Sequence, residues 1–169
     1  MTKFFTVLAC SVLLLASGGS ALAQDGSGAV DSPAGPMQSD RLSGKCLDFT
    51  QVRTVSVPAM MEPCSDRSHQ QWHRAPARVP GYVSIHSSDN NVCLGVSAAD
   101  HSRVVAARCQ NIPNQRWMLA PAKKDGRFVL TNQLTGSGTC LGIPETATRE
   151  NVGMSRCGGF AGQSWQVGG

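Results

Sequence analysis

Residues 93–117 read CLGVSAADHSRVVAARCQNIPNQRW, and their punctuation occurs three times along the chain. Cys46-Leu47-Asp48, Cys93-Leu94-Gly95 and Cys140-Leu141-Gly142 open equivalent segments, with starting cysteines 47 residues apart (46, 93, 140). A second cysteine follows after 18, 16 and 17 residues, at Cys64, Cys109 and Cys157. Eight residues after each of these comes a tryptophan, closing Gln70-Gln71-Trp72, Gln115-Arg116-Trp117 and Gln163-Ser164-Trp165. The connections match too: Trp72 leads to Ala75-Pro76-Ala77 and Gly81, Trp117 to Ala120-Pro121-Ala122 and Gly126. A fixed period of this length specifies an architecture that local propensity cannot.

Within each unit, short apolar runs such as Tyr82-Val83-Ser84-Ile85 and Arg127-Phe128-Val129-Leu130 read as strands. Gly, Asn, Asp, Ser and Pro stand between them as turns. No helical period of useful length appears. A three-bladed propeller and a trefoil both accommodate three such units. Three blades are fewer than propellers use, so the reading is an all-β β-trefoil of three repeats of about 45 residues. The domain is expected over residues 41–169, with repeats near 41–78, 79–123 and 124–169.

Two segments precede it. Lys3, the apolar run Phe4 to Ala16 and the small-residue site Ala21-Leu22-Ala23 read as a cleaved export signal, residues 1–23. The run is too short for a membrane anchor, and Cys10 lies too early for lipidation. Residues 24–40, with Ser32-Pro33-Ala34-Gly35-Pro36, lack a hydrophobic period and read as a flexible leader. The expected location is secreted, extracellular or periplasmic, with no membrane span. The last repeat stops four residues after Trp165, so the two chain ends are expected to meet and complete one lobe.

Six of the seven cysteines follow Cys10, and an even count in an exported chain predicts disulfides. Threefold symmetry selects one bond per repeat among the possible pairings: Cys46–Cys64, Cys93–Cys109 and Cys140–Cys157. Each closed loop stabilises by roughly 3 kcal/mol in the chain-entropy model. Zinc is disfavoured because there is no Cys-x-x-Cys pair and no His at ligand spacing beside these cysteines, so neither metal nor cofactor is expected. Trp72, Trp117 and Trp165, identically placed, read as buried anchors rather than sugar-stacking platforms, with the preceding glutamine bonded to backbone. The formal charge of +4 is spread out, and Lys123-Lys124 with Arg127 reads as a solvated turn, so nucleic acid is not an expected partner.

The three copies of Cys-Leu-(Asp/Gly), Cys and Gln-x-Trp resemble the ricin-type lectin family, also met as carbohydrate-binding modules. The resemblance implies a β-trefoil with one potential sugar site per repeat, usually for galactose-type glycans, and glycans or glycoproteins as partners. It implies binding by the aspartate of Cys-Leu-Asp, by a glutamine and an aromatic shortly before the second cysteine, and by an Asn-Gln pair opening Gln-x-Trp.

Repeat 1 keeps Asp48 and Gln70, with Met60, Glu62 and His69 at the remaining positions. Repeat 2 keeps Asn114 and Gln115 but has Gly95, Val105 and Ala107. Repeat 3 keeps Gln163, with Gly142, Gly153, Ser155 and Gly162 elsewhere. The sugar-binding candidates are therefore Asp48, Glu62, His69, Gln70, Asn114 and Gln115, with repeat 1 the principal site. His86 and His101 read as solvated loop residues. No Gly-x-Ser-x-Gly or His-Glu-x-x-His motif is present and no spare domain exists, so the expectation is a binding protein and not an enzyme. The alternative is a protein-interaction or toxin-adaptor trefoil with decayed sugar sites.

Overall fold

The computed structural model describes residues 31–50, 56–89, 91–144 and 151–168. The proposed export signal and residues 24–30 of the leader lie outside these. Twelve strands are found among the described residues, four per repeat. The first repeat holds β1 (Gly35–Ser39), β2 (Lys45–Phe49), β3 (Ser56–Pro63) and β4 (Gln71–Pro76). The second holds β5 (Val83–Ser87), β6 (Val92–Val96), β7 (Val104–Arg108) and β8 (Trp117–Pro121). The third holds β9 (Phe128–Asn132), β10 (Gly136–Gly142), β11 (Gly153–Arg156) and β12 (Trp165–Val167).

The first and last strands of each repeat form a closed antiparallel ring. β1 pairs with β4, β4 with β5, β5 with β8, β8 with β9, β9 with β12, and β12 with β1. Closure removes the unpaired edges that an open sheet exposes. The other six strands form the hairpins β2–β3, β6–β7 and β10–β11, one per repeat. Six barrel strands and three capping hairpins make a β-trefoil.

The core sits inside this ring. Trp72, Trp117 and Trp165 are fully buried, and each indole Nε1–H donates to the carbonyl of the leucine in its own Cys-Leu pair: Leu47, Leu94 and Leu141, at 2.9, 2.9 and 3.0 Å. Each repeat thus ties its last strand to its hairpin through one large side chain whose polar atom is satisfied. Three disulfides join Cys46 to Cys64, Cys93 to Cys109 and Cys140 to Cys157, as threefold symmetry requires.

The glutamines complete the pattern. Gln70, Gln115 and Gln163 each end a single 3-10 turn, at Ser68–Gln70, Pro113–Gln115 and Ala161–Gln163. Their Oε1 atoms accept from the backbone N–H just after the second cysteine, at Ser65, Gln110 and Gly158. Their Nε2 groups donate to the carbonyl just before it, at Pro63, Arg108 and Arg156. Each amide therefore clamps both sides of a disulfide and pairs backbone groups that burial would otherwise penalise.

Two expectations are corrected. The leader does not extend to residue 40: Gly35–Ser39 is a barrel strand with alternating burial, and Met37 is fully buried in the core. A single core-facing apolar residue among Gly, Pro and Ser carries too little periodicity to be read locally; pairing with β12 and β4 makes it a strand. Lys124 and Arg127 are likewise not merely solvated, since both reach Asp40 at 3.3 Å, and Arg127 also donates to the Gln38 carbonyl.

Candidate carbohydrate site

Asp48 is placed by β2 and Met60 by β3, directly opposite it in register. Asp48 is buried, and its carboxylate is held from three directions. Oδ1 accepts from the Phe49 backbone N–H at 2.6 Å and meets His69 Nδ1; Oδ2 accepts from Gln70 Nε2 at 2.7 Å. Because a carboxylate only accepts, Nδ1 of His69 is the donor. In the neutral ring, Nε2 is then a free acceptor. His69 is further fixed by an edge contact to the Phe49 ring, whose own edge packs on Trp72. A chain of packed rings thus connects the core anchor to the site.

Above this carboxylate opens a cleft of about 520 Å3 lined by Asp48, Phe49, Thr50, Met60, Glu62, Arg67, His69 and Asp89. Of the six sequence candidates, Asp48, Glu62 and His69 line it together. Gln70 lies beneath, fully buried, and acts through Asp48 and the disulfide clamp. Asn114 and Gln115 belong to repeat 2 and do not line this cleft: Asn114 Nδ2 donates to the Val96 carbonyl at 2.9 Å, and Gln115 is buried in its own clamp.

Sequence reasoning missed Arg67 and Asp89. Arg67 follows Cys64 in an irregular loop, and Asp89 comes from the next repeat, beyond β5, so no motif within repeat 1 points to either. The lining bears three carboxylates and one guanidinium, an acceptor-rich surface suited to a ligand with many hydroxyl donors.

At the equivalent positions in repeats 2 and 3, neighbouring atoms crowd the point where a side chain would begin. A Cβ on Gly95 would stand 2.9 Å from the Asn114 carbonyl oxygen and 3.1 Å from Gln115 Cγ. One on Gly142 would stand 2.8 Å from Gln163 Cγ. Glycine there is required by close approach, and the space that Asp48 uses in repeat 1 is already filled.

His86 also departs from its reading as a solvated loop residue. It lies on β5, half-buried, stacked on His73 at 5.2 Å and beside the Cys93–Cys109 disulfide. Burial, reinforced by His73, holds its imidazole below the ordinary histidine pKa. His101 is exposed, as expected.

Three repeats, each with its own disulfide, buried tryptophan and glutamine clamp around one barrel, define the class of fold as a disulfide-stapled β-trefoil. The chain belongs to the family of ricin-type β-trefoil lectin domains, whose model matches residues 33–165. No curated protein matches it. Among solved structures it is similar to the designed threefold-symmetric protein ThreeFoil (TM-score 0.66, 21% identity, covering 79% of this chain and 96% of that one). It is also similar to the hemolytic lectin CEL-III (0.65, 21%, covering 83% and 31%). A third is the cytolethal distending toxin of Haemophilus ducreyi (0.62, 16%, covering 82% and 82%). These likenesses concern the fold; the chain spans about a third of the CEL-III chain it matches. No helix among the described residues is long and apolar enough to cross a membrane.

Proposed function

We propose that this protein is a secreted, non-catalytic lectin that binds a terminal galactose-type sugar in the repeat 1 cleft. The observation that carries this reading is Asp48, fixed by three donors beneath a cleft whose other walls bear Glu62, His69, Arg67 and Asp89. Asp48 and His69 Nε2 accept sugar hydroxyls, and Arg67 donates to a ring or glycosidic oxygen. The His69 ring is the flat face nearest the carboxylate. Glu62 and Asp89 disfavour acidic sugars, so uncharged glycans are the preferred ligands. A single site of millimolar affinity corresponds to about 4 kcal/mol, and useful retention on a surface then requires multivalent display.

Glycine in place of the aspartate in repeats 2 and 3 favours a second reading, a trefoil that docks a protein partner as an adaptor. Likeness to a chain of a cytolethal distending toxin supports that reading. Titration of galactose, lactose and xylan fragments separates the two. The lectin reading expects a sugar-dependent signal lost in Asp48→Asn and weakened in Glu62→Gln, both with intact near-ultraviolet tryptophan dichroism. Flat traces for every glycan sink it.

A further inference from the structure

His86 stands across from Cys93 in the β5–β6 pair. Its Nδ1 lies 3.6 Å from Cys93 Sγ and 3.4 Å from Cys109 Sγ. Its Nε2 lies 2.8 Å from Ser84 Oγ, and that hydroxyl donates to the Ala75 carbonyl at 3.4 Å. The 2.8 Å contact is the closer of the two, so Ser84 Oγ anchors the imidazole at Nε2. Nδ1, on the other side of the ring, faces the two sulfurs, and in the tautomer protonated at Nε2 its lone pair is directed at them. Stacking on His73 keeps the ring in this orientation.

The other repeats do not share this arrangement. Gln38 occupies the position in repeat 1 and donates Nε2–H to Cys64 Sγ at 3.2 Å, and more distantly to Cys46. In repeat 3 the residue opposite Cys140 is Thr131. Among the described residues, only repeat 2 places an imidazole nitrogen beside both sulfurs.

Bond lengths of about 2.3 Å for Zn–S and about 2.0–2.1 Å for Zn–N, at tetrahedral angles, set an N···S separation of roughly 3.5 Å. Both His86 distances already have that value. The sulfurs alone need to move, from the disulfide to roughly 3.8 Å apart, again from tetrahedral geometry. Cys109 and His86 are half-buried, which leaves an approach for the ion and for a water as fourth ligand.

We infer that reductive opening of Cys93–Cys109 creates a Cys2His site for a zinc ion, with Cys93 Sγ, Cys109 Sγ and His86 Nδ1 as ligands. A phosphine reductant and water convert the disulfide into two thiols and a phosphine oxide. Zn2+ then replaces the two thiol protons, which leave to solvent, and forms two thiolate bonds and one imidazole bond. Ser84 is a positioning residue that holds the imidazole through Nε2. The sugar cleft shares none of these residues, so the inference stands apart from the lectin reading.

The test uses the full mature chain, reduced with tris(carboxyethyl)phosphine, and Co2+ as a spectroscopic stand-in for Zn2+. The reduced protein is expected to take up one Co2+ per chain with thiolate-to-cobalt charge-transfer absorption, displaced by Zn2+. The oxidised protein gives no such band. His86→Gln, which copies repeat 1, abolishes it, and Ser84→Ala weakens metal affinity roughly 10- to 100-fold, because the imidazole loses the partner at Nε2 that orients it. Near-ultraviolet tryptophan dichroism, followed in parallel, retains its native form in the reduced, Zn2+-loaded protein. Absence of the band, its persistence in His86→Gln, or unfolding of the reduced chain that Zn2+ does not prevent would each overturn the inference.

Discussion

Met37 lies directly opposite Val167, so the start and end of the described domain are neighbours in one barrel wall. Both side chains are buried in the core, at 0% and 3% exposure. The ring of six strands closes only when this pair forms, and Gly35–Ser39 is therefore a structural part of the barrel.

Met37→Ala is expected to lower unfolding free energy by about 2–5 kcal/mol, the usual cost of truncating a buried long apolar side chain. Met37→Leu should cost less than about 1.5 kcal/mol because volume is nearly kept. Denaturant melts check both, and a loss under half a kilocalorie per mole for the alanine variant would show that β1 adds little to the barrel.

The three glutamine clamps have separable roles. Gln115→Ala leaves two backbone groups flanking Cys109 without their partners, a change expected to cost about 1–3 kcal/mol and leave glycan binding unaltered. Gln70→Ala should cost similarly and also weaken glycan binding, because Gln70 alone of the three holds an aspartate. Melting curves combined with sugar titrations distinguish the two variants; equal effects on binding would contradict the assignment.

Restoring an aspartate in repeat 2 is not expected to restore a site. Gly95→Asp drives its Cβ into the Asn114 carbonyl, and the strain should lower stability by about 1–3 kcal/mol with no second sugar equivalent bound. Calorimetric stoichiometry and the melting temperature read the outcome. A second binding event would mean that the 3-10 turn at Pro113–Gln115 moves readily aside.

Acid should weaken the junction around Asp40. The Ser164 hydroxyl bond holds the Asp40 carboxyl below its ordinary value, against the opposing effect of burial, with further help from Lys124 and Arg127. The unfolded chain then binds the proton more tightly than the native one, so stability rises with pH across that interval. Its contribution is present above the ordinary carboxylate value and disappears as pH falls through the lower folded value. In Asp40→Asn this part of the pH dependence should vanish from denaturation profiles taken between roughly pH 5 and 2; an unchanged acid slope would refute the assignment.

Much of this molecule is legible in its sequence because the repeated residues act locally and identically. A cysteine bonds within its own repeat, a tryptophan donates to the leucine of its own Cys-Leu pair, and a glutamine clamps its own disulfide loop. Each interaction spans fewer than 30 residues and occurs three times, so the spacing alone specifies it and, through it, the trefoil.

What the tertiary structure decided lies between repeats or where symmetry is broken. Met37 needs Val167 before it reads as core, and Asp89 enters the repeat 1 cleft from repeat 2. Asp48 has room for its side chain, whereas at Gly95 and Gly142 neighbouring atoms occupy the equivalent space. His86 meets the Cys93–Cys109 bond only through strand pairing. A repeat pattern encodes contacts made within each copy; contacts between copies depend on how barrel closure brings distant strands together, and no local spacing carries that information.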